Sequence, residues 1–277
     1  MIEEVRGMKK KSRRIVDVIL IILSCIWLSP IVFVLLNLFK GKQEYNLGNL
    51  WKLPKGNEFL SNLKYVWDNK VIFEGMANSF VYAVVGAFCA LCMAVLAAYA
   101  ISHLRIRHRM FWFLFIYCGT IFPFQIYLIP IYKAYTKVGL YNTKMGMMLF
   151  YSAICIPFCM FVLRNFFMGI DKEICESAQI EGASNMQILL RIFIPMAKAP
   201  LGILFMSQFN WCWNDLMFGL TFTKSEKIRT VMATVSLMDR GNVPVLFCTC
   251  IVVSLPTLIL FMLLQKNFAQ GFVYSTK

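Results

Sequence analysis

Two stretches hold the residues best suited to specific chemistry. One is Glu176-Ser177-Ala178-Gln179-Ile180-Glu181-Gly182-Ala183-Ser184-Asn185, which runs on to Pro195. The other is Asn210-Trp211-Cys212-Trp213-Asn214-Asp215. Neither assembles a catalytic set. The two histidines, His103 and His108, share one short segment, and no Ser-His-Asp or Cys-His arrangement can be built from them. No Gly-x-x-x-x-Gly-Lys-Ser/Thr run is present, so no loop cradles phosphates. The ten cysteines lie in apolar stretches apart from Cys175, and Cys248-Thr249-Cys250 is not a ligand spacing. They read as small buried hydrophobes. Neither an enzyme nor a resident metal or cofactor is expected.

The first stretch predicts a helix, a corner and a second helix. Asp171 can cap a helix over 172–180, with Glu173 and Glu176 near its positive end. Gly182 can end that helix in a left-handed turn at little steric cost. Asn185 is the expected cap of the second helix, which Pro195 disturbs at a membrane boundary. Such an elbow is a rigid knob suited to docking against another protein.

The elements that must hold these stretches are apolar. Of 277 residues, 59% are hydrophobic and 15% charged, against roughly a quarter charged in soluble domains. The composition predicts an all-α integral membrane protein. Residues 1–14 form a basic arm, and 15–39 are long enough to cross about 30 Å of hydrocarbon. The start shows no Ala-x-Ala site and is not expected to be a cleaved signal. Residues 40–77 read as an extracytoplasmic interfacial loop. A core over 78–264 then holds five more spans, expected at 78–101, 110–131, 145–167, 200–221 and 244–264, with the elbow within loop 168–198. Pro123 and Pro130 predict a kink in the third span. Residues 265–277 form a tail.

The net charge of +14 gathers beside the spans, with no aromatic-interleaved basic domain, so it reads as topology anchoring on anionic membrane lipid and not as nucleic-acid binding. Arg6, Arg13, Arg14, Arg105, Arg107, Arg109, Arg164 and Arg191 fall on one side of a six-span topology, against Arg229 and Arg240 on the other. Both termini and the elbow are therefore expected in the cytoplasm of a prokaryote, beneath its plasma membrane. Spans two, three, four and six carry no ionisable residue near their centres, which disfavours proton or sodium coupling. Asp215 reads either as a gate residue or as an interfacial one.

Glu176-Ser177-Ala178, Gly182 and Ile192-Phe193-Ile194-Pro195 together resemble the EAA loop of ABC importer permeases. Asn78-Ser79, Ala97-Ala98-Tyr99-Ala100, Ile129-Pro130-Ile131-Tyr132, Gly139-Leu140-Tyr141-Asn142-Thr143, Leu163-Arg164-Asn165-Phe166-Phe167, Trp213-Asn214-Asp215 and Gln265-Lys266-Asn267-Phe268 with Gly271 resemble carbohydrate permeases of that family in order along the chain. The ordered set is similar to the smaller, maltose-transporter-G-like type of subunit. Ser177 departs from the usual Ala, a small-for-small exchange.

The resemblance implies a type I ABC importer permease fold and a second homologous permease as heterodimer partner. It also implies an ABC ATPase dimer that binds the ATP, and a solute-binding protein outside. It assigns ATPase coupling to Glu176, Ser177, Ala178, Ile180, Gly182, Ala183 and Pro195, with apolar contact also from Ile174. It assigns a tail contact to Gln265, Phe268, Gln270 and Gly271. Asn78, Gln125, Gln208, Asn210, Trp211, Asn214 and Asp215 are candidates for the translocation path of a sugar. Another solute, such as a glycerol phosphate or a polyamine, is the nearest alternative, and an ion-coupled carrier a more distant one.

Overall fold

The computed structural model describes the backbone of residues 2–273 and the side chains of residues 16–265. Helices joined by loops, with no strand, make up the described residues. Its helices are α1 (Ile2–Leu38), α2 (Lys42–Asn46), α3 (Phe59–Asp68), α4 (Lys70–His103), α5 (Arg109–Ile121), α6 (Gln125–Lys137), α7 (Lys144–Met168) and α8 (Lys172–Ile180). There follow α9 (Asn185–Met196), α10 (Lys198–Trp213), α11 (Met217–Phe222), α12 (Val231–Ser236) and α13 (Val243–Val273). Four helices are long and apolar enough to cross a membrane, and six spans result if each bent pair, α5 with α6 and α9 with α10, counts as one.

Two compact units divide the chain. Residues 1–69 and 239–252 form the first. In it the C-terminal carbonyls of α1 find donors at once: the Asn62 amide donates to the carbonyls of Leu38 and Lys40, and the Glu58 N–H to that of Phe39. Lys40 is buried, and its ammonium donates to the Asn37 side chain and to the carbonyls of Asn49 and Leu50. The span-forming part of α1, Val16–Leu38, has none of its most apolar window buried in the chain.

Residues 70–238 and 253–277 form the second unit, built on α4. Ala83, Ala87, Ala90, Ala94 and Ala98 recur at helical spacing and are fully buried, so the α4 backbone can lie close to α7 and α10. The tightest point is Gly86, where an added Cβ would stand 2.8 Å from the Tyr151 Cβ. Tyr151, Cys155, Cys159, Leu163 and Phe167 line the facing side of α7.

Two spans are broken, the third where a kink is expected and the fifth where a continuous helix is expected. The third turns by 98° at Phe122-Pro123-Phe124. Phe122 precedes a proline and is forced into extended backbone (φ −77°, ψ 135°), while Pro123 has no N–H to continue the ladder. Pro130, by contrast, sits inside α6, which continues through it. The fifth stops at Trp213, because Asp215 draws the N–H groups of Phe218 and Gly219 into a new start, α11.

The close approach at Gly86 yields a first prediction. Gly86→Ala forces Tyr151 and α7 outward and lowers stability by about 1–3 kcal/mol, the usual cost of overpacking. Thermal unfolding followed by tryptophan fluorescence in detergent measures it, and an unchanged midpoint contradicts the close α4–α7 contact.

Candidate functional site

The elbow is built from local hydrogen bonds. α8 begins after Asp171, whose backbone takes the cap position, although its side chain makes no capping hydrogen bond. At the other end Gly182 adopts φ 83°, its N–H donates to the Gln179 carbonyl at 3.0 Å, and the Ala183 N–H donates to the Ala178 carbonyl at 2.9 Å. These paired bonds satisfy carbonyls that the helix end leaves open, and the positive φ is one that glycine adopts without strain. α9 is capped by Ser184 and not by Asn185. The Gln187 N–H donates to the Ser184 hydroxyl at 3.3 Å, and the Ser184 N–H to the Gln187 side chain at 2.8 Å. Ser-x-x-Gln is a reciprocal capping pair, and Asn185 is simply the first helical residue.

Past this cap, α9 widens to a π-helical turn over Leu189–Phe193, and the chain bends by 76° at Ala197. Pro195 lies exposed within the last turn, just before that bend. Ile188, Leu189 and Phe193 are buried in one apolar cluster with Tyr99 of α4, Leu163 and Phe167 of α7, and Cys175 of α8. The Phe193 ring stands edge-on to Tyr99 at 5.0 Å, to Phe167 at 5.2 Å and to His103 at 4.6 Å. Ala178 and Ala183 pack against the same cluster.

The other side of the elbow is open. Glu176 and Ser177 are exposed, and Ile180 is 87% exposed, an unusual position for an isoleucine. A Cβ placed on Gly182 would meet nothing within 4 Å. Ile174 is partly exposed on the same helix.

A second constellation gathers where the third and fifth spans break. Gln208 and Trp211 of α10, Phe124 at the Pro123 corner and Cys155 of α7 line a cavity of about 310 Å³. Asn210, Trp211, Asn214 and Asp215 line a recess of about 430 Å³ that shares Phe124 and Trp211 with it. The Asn214 amide donates to the carbonyl and side-chain oxygens of Asn210, each at 2.8 Å. Asp215 is fully engaged: its carboxylate accepts from the Tyr151 hydroxyl at 2.8 Å, from the Gly219 N–H at 2.9 Å and from the Phe218 N–H at 3.3 Å.

Two candidates stand elsewhere. Asn78 is buried, with its amide hydrogens donated to the carbonyls of Lys227 and Arg229, so it ties that loop to α4. Gln125 is exposed at the first position of α6 and lines neither hollow. Sequence reading missed Phe124 and Tyr151, and gave Phe193 only as part of the Ile192-Phe193-Ile194-Pro195 motif, without its packing role. The Phe122-Pro123-Phe124 triplet was the available signal for the first. Gln265 is exposed, its side-chain amide donating to the Met262 carbonyl, and the contacts expected of Phe268, Gln270 and Gly271 lie outside the described residues.

Residues 90–274 match the family described as "Binding-protein-dependent transport system inner membrane component". The chain belongs to this family. The permease is thus a membrane-spanning transport component and not an enzyme. It is 28% identical over 247 residues to a probable ABC transporter permease, YurM, of Bacillus subtilis, covering 87% of this chain and 81% of that one. It is 24% identical over 270 residues to the melibiose/raffinose/stachyose import permease MelC of the same organism, covering 96% and 97%. Its fold matches a chain of a bacterial ABC transporter involved in import of the acidic polysaccharide alginate, with a TM-score of 0.79 at 24% identity, covering 91% of this chain and 94% of that one. The permease therefore has the all-helical fold of ABC importer membrane subunits.

Two predictions follow from the geometry of the permease. Asp215→Ala leaves the Tyr151 hydroxyl and two N–H groups without their acceptor, and lowers thermal stability by about 2 kcal/mol, whereas Asp215→Asn loses less. Equal midpoints for Asp215→Ala and the parent protein contradict the network. At the elbow, burial first and then the Glu176 charge push the Cys175 thiol above its ordinary pKa. The thiolate is the reactive form, so a raised pKa moves its maleimide labelling to more alkaline pH. Labelling that depends on Cys175, judged against Cys175→Ser, is slow at neutral pH in the native protein and rapid after denaturation.

Proposed function

We propose that the chain is a permease subunit of an ATP-driven importer for sugars or oligosaccharides, and that α8 is the element through which an ABC ATPase moves it. The observation that carries this reading is the two-sided elbow: Ile188, Leu189 and Phe193 fasten it to α4 and α7, while Ile180 and the bare Gly182 face outward. An exposed isoleucine beside a residue without a side chain suits a shaped cleft on another protein.

In this reading both termini and the elbow are cytoplasmic. ATP is bound by the partner ATPase dimer, closure of which carries α8 with it. Phe193 passes the movement to the ends of α4 and α7, and the pore alternates between outward and inward access. Ala178 and Ala183 allow the close packing behind α8, Glu176 and Ser177 offer polar contacts, and Pro195 stiffens the turn before the bend. The tail, from Gln265 through Phe268, Gln270 and Gly271, adds a second contact to the ATPase.

A homologous second permease completes the path, and an extracytoplasmic binding protein delivers the solute. Support for the last comes from the alginate transporter, which has been crystallised with a periplasmic protein bound to an alginate pentasaccharide. Support for a sugar comes from MelC and from the alpha-glucoside permease AglG of Rhizobium meliloti, 28% identical over 221 residues. The hollows fit that class. Trp211 and Phe124 offer ring faces, and Gln208, Asn210 and Asn214 offer amides to hydroxyls.

Gly182→Asp tests the coupling role. The site has open space, so folding survives apart from the backbone cost of a left-handed aspartate, roughly 1 kcal/mol. A carboxylate buried against a partner costs several kcal/mol, so labelled-sugar uptake falls by more than about tenfold at unchanged protein level. Normal uptake with normal abundance excludes α8 as the docking element.

A further inference from the structure

Between α8 and the turn that joins α4 to α5 lies a cleft of about 890 Å³, with Cys175 and His103 at the edge it shares with the Phe193 cluster. His103, Arg105 and Arg109 line it from that turn, and Lys172 and Glu176 from α8. Glu176 is the one carboxylate among the lining residues. Arg105, Arg109 and Lys172 are exposed, and among the described residues no hydrogen bond or ion pair occupies their side chains. Three cations thus converge on one concavity with a single compensating charge.

A second feature is continuous with the first. The helix that begins at Arg109 presents Met110, Phe111, Trp112, Leu114 and Phe115 outward, each between 47% and 61% exposed. An apolar face starting at a cationic cleft, with a tryptophan in its first turn, matches the depth profile of a membrane interface: charge, then indole, then hydrocarbon. Basic hollows between spanning helices are suited to phospholipid headgroups, and the guanidinium fork matches phosphate oxygens in pairs.

We propose that this cleft binds the phosphate of an anionic phospholipid, with Arg105 and Arg109 as its principal donors and Lys172 as a third, while the acyl chains lie along the exposed face of α5. The lipid bridges the α4–α5 turn and α8, so the headgroup fastens the elbow to the membrane plane. The inference requires only that the chain spans a membrane. Its failure leaves the role of α8 towards an ATPase untouched.

The test is quenching of Trp112 by brominated lipids in the full-length protein in its native assembly, taken as the difference between parent and Trp112→Phe. Brominated phosphatidylglycerol is expected to quench at lower concentration than brominated phosphatidylcholine. The double variant Arg105→Gln, Arg109→Gln should raise the phosphatidylglycerol midpoint by roughly 25-fold, at about fivefold per cation near a charged lipid surface. The phosphatidylcholine curve should not move. Arg105→Lys with Arg109→Lys should keep most of the preference, and Lys172→Gln, on the exposed α8 surface, should cost about fivefold if the double variant does not assemble. Equal quenching by the two lipids overturns the proposal, as does a double variant or Lys172→Gln that binds like the parent. Loss of the preference in millimolar inorganic phosphate assigns the cleft to a soluble anion instead. Absence of quenching by either lipid shows that protein, and not lipid, covers α5.

Discussion

Phe193 is the contact on which the rest depends. It lies in α9, yet its ring is wedged among Tyr99, His103 and Phe167, from the ends of two long helices. Without that wedge the elbow would be a loop tethered at its ends, free to move without moving anything else. With it, the elbow is packed directly against the ends of α4 and α7. The π-helical turn at Leu189–Phe193 adds a residue to the helical circuit, which rotates the following side chains relative to a regular helix.

α7 carries the connection onward. Phe167 touches the Phe193 cluster, and Tyr151, earlier on the same continuous helix, reaches the Asp215 carboxylate. Their separation is about 24 Å at 1.5 Å per residue. Asp215 in turn organises the break between α10 and α11, beside the recess lined by Trp211 and Asn214. Aromatic packing at one end and a charge-assisted hydrogen bond at the other therefore share one rod. Gly86 holds that rod against α4 by leaving no room between them.

Much of this was legible in the residues. The glycine corner was, because only a narrow set of residues tolerates φ near 83° and the helix before it was well marked. The capping residue was misplaced by one position. Ser184 and Asn185 are both good caps, and the deciding signal, Gln187 three residues after Ser184, was present but not weighed. The break at Pro123 was foreseen as a kink, but a turn of 98° depends on what α6 packs against, which a local pattern does not contain. Asn78 illustrates the harder limit. A lone amide in an apolar span looks the same whether it faces a solute or a carbonyl from residues 227–229, far along the chain. Asp215 belongs with it, since its partner Tyr151 lies 64 residues away in sequence.

The first span stands apart from this economy of contacts. Trp27 is 81% exposed, and no residue of the most apolar window of Val16–Leu38 is buried by the rest of the chain. Selection acting through this chain's own packing consequently weighs that helix by oiliness and length and ignores the order of its letters. As far as this chain's own packing goes, one oily residue can replace another along that helix, a freedom that the crowded Gly86 position of α4 does not have.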